Sequence, residues 1–370
     1  MHSHLSLSRR SVLRAASAAF AAAAVSHPVF AAAAAPVRER SIAEVIRMSP
    51  VEMAEESAVV RAAMTSLEAS AKRLSDAKLA GVILDIMKNP MPRLLEGIDE
   101  AQCLEALRRE GLVDAKRSSL FPPLADRSAA PQPYASAPGS GYKSHHAYPG
   151  GLATHCALNV ASAEKLADSY REVFGLEIDR DAAVGGELLH DLHKPWVFQW
   201  LKDHTCRVEP QLAGTGEHHV LSIAESMKRG VAPAVCVAQA CAHDHPGTAE
   251  SEARVVKYLR AAAIIAGVDP VRGGYLAADG KTLPQPRRME GFVVHLADHD
   301  FVVSGPACQW TAAALYELFR EHYGLTSEAD LNAARNYAFA NLTAMRLYGV
   351  LSTRGKRALG EEVARIVKKA

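Results

Sequence analysis

Apolar residues along "SAVVRAAMTSLEASAKRLSDAKLAGVILDIM", residues 57 to 87, recur every three and four positions, the spacing of one face of an α-helix. "DEAQCLEALRREGLV", residues 99 to 113, repeats that period behind an acidic cap. The pattern then lapses in "PQPYASAPGSGYKS", residues 131 to 144, where proline, glycine and serine predict a loop or domain boundary. Periodicity returns after Gly150 and Gly151, where a helix would line up Leu152, His155, Ser162 and Leu166. Further helices are predicted in "DAAVGGELLHDLHKP", "GTGEHHVLSIAESMKRG", "PAVCVAQACAHDHPG" and "GFVVHLADHDFVVSG". The tail from about residue 306 to 370 also reads as helices. The expected organisation is a leader (1–35), an N-terminal helical region (36–130), a linker (131–144), a histidine-rich domain (145–305) and C-terminal helices (306–370).

Composition agrees with an all-α globular chain. Hydrophobic residues make up 49% of the 370 and aromatics only 6%, a balance that favours helix over sheet. The formal net charge of +1 gives no general attraction to nucleic acid or anionic membrane, so an anionic partner must be held by local groups. The six cysteines show no Cys-x-x-Cys spacing and read mostly as small buried apolar residues.

The leader changes the expected location. "SLSRRSVLRAASAAFAAAAVSHPVFAAAAAP" combines a basic start, an alanine-rich apolar stretch and small residues for cleavage near Ala31 to Ala35. Arg9 and Arg10 resemble a twin-arginine export signal, which predicts passage through that machinery to the periplasm or exterior. His27 and Pro28 interrupt the stretch, so no membrane anchor is expected after processing.

The chemistry gathers in one region. Of sixteen histidines, twelve lie between His145 and His299. His155 falls on the inward stripe of its helix. His190 and Asp191 close an apolar run, and Pro195 disfavours helix through Lys194. His219 aligns with Ile223 and Met227 on an inward face, whereas His218 aligns with Ser222, Glu225 and Arg229. His243 is expected in the last turn of an apolar helix ended by Pro246. Val294, Asp298 and Phe301 share helical spacing, which turns an aspartate toward the core. Burying so many imidazoles and carboxylates is costly, and a metal removes that cost. His155, His190, Asp191, His219, His243 and Asp298 exceed what one tetrahedral zinc takes, so they predict two divalent ions (manganese, iron, zinc or cobalt) bridged by Asp191. The choices between His218 and His219, and between His243 and His245, stay open.

In that order of ligands, and above all in "HHAYPGGLATH" followed by "LLHDLHK", residues 141 to 305 resemble the HD-domain superfamily of metal-dependent phosphohydrolases. The resemblance implies an all-helical bundle in which His155, His190, Asp191 and Asp298 hold metal while His219 and His243 complete a binuclear site. It departs from the pattern in the doubled His218–His219, in "HDH" at 243 to 245, and in Ala263 where some relatives carry the last acid; "HLADHD" is taken as its source instead. The implied chemistry is metal-assisted hydrolysis of a small phosphorylated molecule, with Lys194 free to bind phosphate and oppose developing charge. Other members of the superfamily use the same ligand order for di-iron oxygenation of a polyol or phosphonate, and a metal-containing sensor module without turnover is a third expectation. Tyr142, Tyr148, Trp196 and Trp200 are expected to flank the mouth. No stacking platform or basic stripe points to nucleic acid.

Overall fold

The computed structural model describes residues 37–369, so the leader lies outside the described residues. The architecture is all-α. Its helices are α1 (Ile42–Val45), α2 (Pro50–Glu56), α3 (Ala58–Lys72), α4 (Ala77–Lys88), α5 (Glu100–Arg109), α6 (Gly151–Phe174), α7 (Arg180–Leu189) and α8 (Lys194–Val197), followed by α9 (Glu217–Lys228), α10 (Pro233–Ala240), α11 (Ala249–Ala266), α12 (Met289–Asp298), α13 (Phe301–Tyr323), α14 (Glu328–Leu342) and α15 (Ala344–Ala364). Sheet among the described residues is confined to two-residue pairs: β1 (Arg40–Ser41) lies parallel to Val367–Lys368, and Gln211–Leu212 pairs antiparallel with Thr215–Gly216. No described helix is long and apolar enough to cross a membrane.

Two apolar cores organise the bundle. The larger joins α3 to α7 with α9, α10 and α11 around residues such as Leu67, Ile83, Leu152, Leu189, Leu221 and Leu259. The second joins Ile42, Val45 and Met53 near the start of the described chain to α13, α14 and α15 through Leu315, Phe319, Phe339 and Val363. Burial of these aliphatic and aromatic groups is the main favourable term in holding the helices together.

Local chemistry explains the helix ends. The periodic run at 57 to 87 forms two helices, because the Asp76 carboxylate accepts from the N–H groups of Lys78 and Leu79 and starts α4. Asp181 on α7 accepts from Ser75 N–H and Asp76 N–H and ties that break to its neighbour. Asp179 caps α7 by accepting from Ala182 N–H, and Thr248 caps α11. The glycines before α6 answer to crowding as well as to turn geometry. Gly150 has φ +82°, and a β-carbon on Gly151 would stand 1.8 Å from the His146 carbonyl oxygen. The loop from 139 to 151 can therefore fold back on the start of α6, with Gly139 N–H donating to His146 O at 2.8 Å.

Candidate metal centre

Four segments meet at one buried point. α6 carries His155 and Asn159, and α7 ends at Leu189 so that His190 and Asp191 fall in the following turn. That turn is closed by Lys194 N–H on Asp191 O at 3.0 Å, and Pro195 sits in the first turn of α8, where its missing N–H costs nothing. The buried Gln239 amide of α10 donates to the Leu189 carbonyl at 2.9 Å, satisfying an orphaned helix end. Small residues let the helices approach: a β-carbon on Gly186 would be 3.1 Å from Val294 on α12 and 3.2 Å from Gln239 N on α10. α12 stops at Asp298 and delivers its carboxylate to the same point.

His155 Nε2 lies 3.3 Å from Asp191 Oδ2 and 3.2 Å from Asp298 Oδ1. His190 Nε2 lies 3.1 Å and 3.3 Å from the same two oxygens. His155 and His190 are 0% exposed and Asp191 1%. The ligand atoms of His155, His190 and Asp191 all lie within 4.8 Å of one another, close enough to share one ion. Burial alone would lower the His190 imidazole, but the Asp191 and Asp298 carboxylates outweigh it and hold the ring well above its ordinary range. Burial would raise Asp191, but His190 and Lys194 hold it well below the usual carboxylate range. The cluster is thus built around strong, mutually dependent charges.

The donor set fits a divalent cation. His190 Nδ1 is 2.7 Å from the Glu187 carbonyl oxygen, which can only accept, so Nδ1 carries a proton and Nε2 is the nitrogen that a cation, displacing the proton there, would meet. His218 follows the same rule, with Nδ1 2.7 Å from Glu209 Oε2 and Nε2 3.5 Å from Asp191 Oδ1. His243 Nδ1 is 2.8 Å from Thr215 Oγ1, while its Nε2 stands 4.0 Å from Asp298 Oδ2. Despite these approaches, His190 Nε2, His218 Nε2 and both carboxylate oxygens of Asp191 are buried without a hydrogen bond. Two ring nitrogens and two carboxylate oxygens gathered in a buried place are a donor set that a metal would satisfy.

His219 is placed differently from the expectation. Its Nε2 is 3.2 Å from Ala240 O and therefore donates there, and the ring stacks on His243 with centroids 4.0 Å apart. Burial, reinforced by neighbouring His218, pushes its pKa down to about 4. The sequence pattern gave α9 one inward face, but every residue from Glu217 to Met227 is buried, so His218 and His219 both lie inside. It is His218 that approaches Asp191. His243 follows α10 in a turn instead of occupying its last turn, because Asp244 is drawn to α11 by Arg254 at 2.7 Å and Tyr258 at 2.5 Å. Val294 and Asp298 are buried as the spacing predicts, whereas Phe301 is 41% exposed because the helix breaks between Asp298 and Phe301.

Lys194 does not stand free. It is 2% exposed, its ammonium forms an ion pair with Asp191 Oδ2, and it donates to Gly139 O. His193 turns to Glu225 at 3.4 Å, outside the centre. Of the aromatic residues expected at the mouth, Tyr148 and Trp196 are buried in the cores at 1% and 0% exposure.

Sequence reasoning passed over several participants. Asn159, one turn after His155, donates to Asp298 Oδ1 at 3.0 Å. Asp300 brings Oδ1 to 3.4 Å from His155 Nδ1, the side of the ring turned from Asp191. With His145 and His146 it forms a second group able to hold a cation, sharing His155 with the first. The repeated acid in "DHD" at a helix junction was the available signal for Asp300; nothing local marks Asn159 or Glu209. His145, His243 and Asp300 are partly exposed and mark the side from which solvent reaches the centre.

Against known proteins, a segment of 117 residues is 36% identical to the dihydroneopterin 2',3'-cyclic phosphate phosphodiesterase of Methanocaldococcus jannaschii. The segment is 31% of this chain and 46% of that protein, so the similarity spans less than half of the relative. No family model and no solved structure matches the chain.

Proposed function

We propose that this chain is a metal-dependent phosphohydrolase of the HD-domain type that cleaves a phosphodiester at the centre formed by His155, His190, Asp191 and Asp298. The observation that carries the reading is Asp191: it is buried, its two oxygens face different imidazoles, and while the Lys194 ammonium meets Oδ2, Oδ1 is left without a hydrogen bond. That disposition supports a bridging role, with His155 and His190 on the Oδ2 side and His218 on the Oδ1 side of a two-ion site of manganese, iron, zinc or cobalt. His243 would close the second side, with His219 stacked behind it. The identity shared with a phosphodiesterase supports the class of bond cleaved, and makes a cyclic phosphodiester the first substrate to test.

Such ions, when bound, supply Lewis acidity toward a phosphoryl oxygen and acidify water. The protein's own groups hold and orient. Glu187 O and Glu209 accept from Nδ1 of His190 and His218, and Thr215 Oγ1 bonds Nδ1 of His243, so each ring is oriented with Nε2 directed inward. Asn159 fixes one oxygen of Asp298, and Lys194 anchors Asp191 to the loop through Gly139. Lys194 thus balances the charge of Asp191 from within the protein. The buried surroundings exclude bulk water and strengthen every charge in the site.

The reading includes export of the folded, metal-loaded precursor through the twin-arginine machinery, which Arg9 and Arg10 support. The deciding experiment is metal analysis of untagged protein together with hydrolysis of bis(p-nitrophenyl) phosphate and a 2',3'-cyclic nucleotide, with and without chelator. The expected result is about two ions per chain and hydrolysis that disappears on chelation and returns with metal. Metal-replete protein that hydrolyses none of the panel but consumes oxygen with a polyol would overturn the hydrolase in favour of an oxygenase.

A further inference from the structure

Outside the centre, one buried cation has no counter-charge. Arg335 on α14 is 2% exposed, yet no carboxylate among the described residues lies within ion-pair distance of it. Its Nη2 donates to Ala147 O at 2.6 Å and approaches Cys308 Sγ at 3.9 Å. Nε and Nη1 are buried without any acceptor. The guanidinium lies over the Tyr142 ring at 4.2 Å and the Phe339 ring at 5.1 Å, contacts that attract a cation but accept none of its in-plane hydrogens. Leaving a desolvated guanidinium with unused donors is expensive, and proteins ordinarily meet that cost with an anion.

Beside it is a cavity of about 440 Å³, lined by Arg335 together with Tyr142, Lys143, Cys308, Ala312 and Tyr316. Its shape is held by polar contacts around the rim: Tyr316 O–H donates to Asn332 Oδ1 at 2.8 Å, and Gln309 donates to Lys143 O at 3.1 Å. The walls offer aromatic and small apolar surface, and the two charged residues that line it, Lys143 and Arg335, are both positive. We propose that this cavity is a binding site for an oxyanion, a carboxylate or phosphate group carried on a compact apolar or aromatic body, with Arg335 as its charge partner and Tyr142 and Tyr316 against the body. Planar guanidinium suits both oxyanions.

The cavity and the candidate centre share a loop. Tyr142 and Lys143 line the cavity, Ala147 accepts from Arg335, and between them His145 and His146 pack on His155 with ring centroids 4.7 and 5.1 Å away. Occupancy at Arg335 therefore bears on the loop that carries both histidines.

The test is calorimetric titration of the full-length purified protein with benzoate and, separately, phenylphosphonate, neither of which is a hydrolysable ester. Saturable binding of at least one is expected, weakened at least about tenfold in Arg335→Met, which keeps an unbranched apolar stem and removes the guanidinium charge. Ala312→Leu, which fills the cavity from a partly exposed position without touching the buried arginine, is expected to weaken binding as much and guards against misfolding of the first variant. His155→Ala should leave binding intact. Preference between the two probes distinguishes a carboxylate from a phosphate ligand. Absence of binding by both, binding unchanged in Arg335→Met and Ala312→Leu, or binding lost only in His155→Ala would overturn the proposal; the last would place the anion at the centre.

Discussion

The two halves of the centre are built from the same residue types and differ in how those residues meet. Around His155, His190, Asp191 and Asp298, each imidazole approaches both carboxylates at 3.1 to 3.3 Å, and nothing is more than slightly exposed. Around His218, His219 and His243, the rings contact one another, Asp191 and Asp298 are 3.5 and 4.0 Å away, only His218 has a close carboxylate, Glu209 on its outer nitrogen at 2.7 Å, and His243 is 26% exposed. The first half is closed and charge-crossed; the second is looser and open to one side. An imidazole beside a buried carboxylate is held by Coulombic attraction in a low-dielectric setting, whereas stacked neutral imidazoles are held mainly by packing and can yield. The difference teaches that, under the proposed reading, the closed half would fix an ion while the looser half would leave room for adjustment.

The strongest way to break this contrast is at Asp191, the residue common to both halves. Asp191→Asn removes the charge and one oxygen donor, so metal content should fall and phosphodiester hydrolysis drop by ~10³-fold or more. Elemental analysis and rate measurement on the same preparation check this. Retention of both ions would end the bridging role.

Lys194 separates charge balance from metal holding. In metal-free protein its ammonium compensates Asp191, so Lys194→Met should lower the stability of that form by about 3 kcal/mol, read from the denaturant midpoint. The same change removes a competitor for Asp191 Oδ2. Metal affinity, measured by chelator competition, should therefore hold or tighten, and a marked loss would show that Lys194 supports the bound state instead.

A third measurement supplies a control that belongs to neither half. Glu225 accepts from the N–H groups of Arg93 and Leu94 at 3.0 Å and pairs with Arg229 at 2.6 Å. Burial alone would raise its carboxyl, but His193, Arg229 and those amides hold it down to about 2, against an ordinary 4.5. A depressed carboxyl stabilises the fold fully above pH 4.5 and loses that contribution as the pH falls toward 2. The loss should reach about 2 kcal/mol and be absent in Glu225→Gln, as checked by unfolding between pH 5 and pH 2.5 in chelator.

The smallest effects sharpen the looser half. His218→Ala should weaken metal binding at least about tenfold, whereas His219→Ala should leave it near the wild-type value and lower stability by about 2 kcal/mol through lost packing. Equal effects on metal affinity would mean that both rings reach the ion and that the stacked arrangement rearranges on loading.

Much of this was legible in the chain. Helical periodicity was enough for the all-α class, because the 3.6-residue repeat is a local property that burial of one face reinforces. His190 and Asp191 could be placed at a helix end because Pro195 limits the backbone on its N-terminal side. The periodic argument failed where its premise failed. α9 is buried all round, so no face distinguishes His218 from His219, and the choice falls to which ring nitrogen finds a carbonyl or carboxylate behind it. His243 departed from expectation because a contact with another helix draws the following residue away, and Phe301 because it begins a new helix after the break at Asp298.

What the sequence by itself determined was the set of chemical groups and the local geometry that offers them: helices, their caps, the turn after Leu189, and glycines at 150 and 151 where a β-carbon has no room. What only the tertiary structure decided was which of those groups share a point in space. Asn159 meets Asp298 across 139 residues, Lys194 meets Gly139 across 55, and Arg335 reaches Ala147 across 188. Such meetings depend on how whole helices pack, and packing is set by the summed burial of many side chains, so no short stretch of the chain records where its distant partner lies.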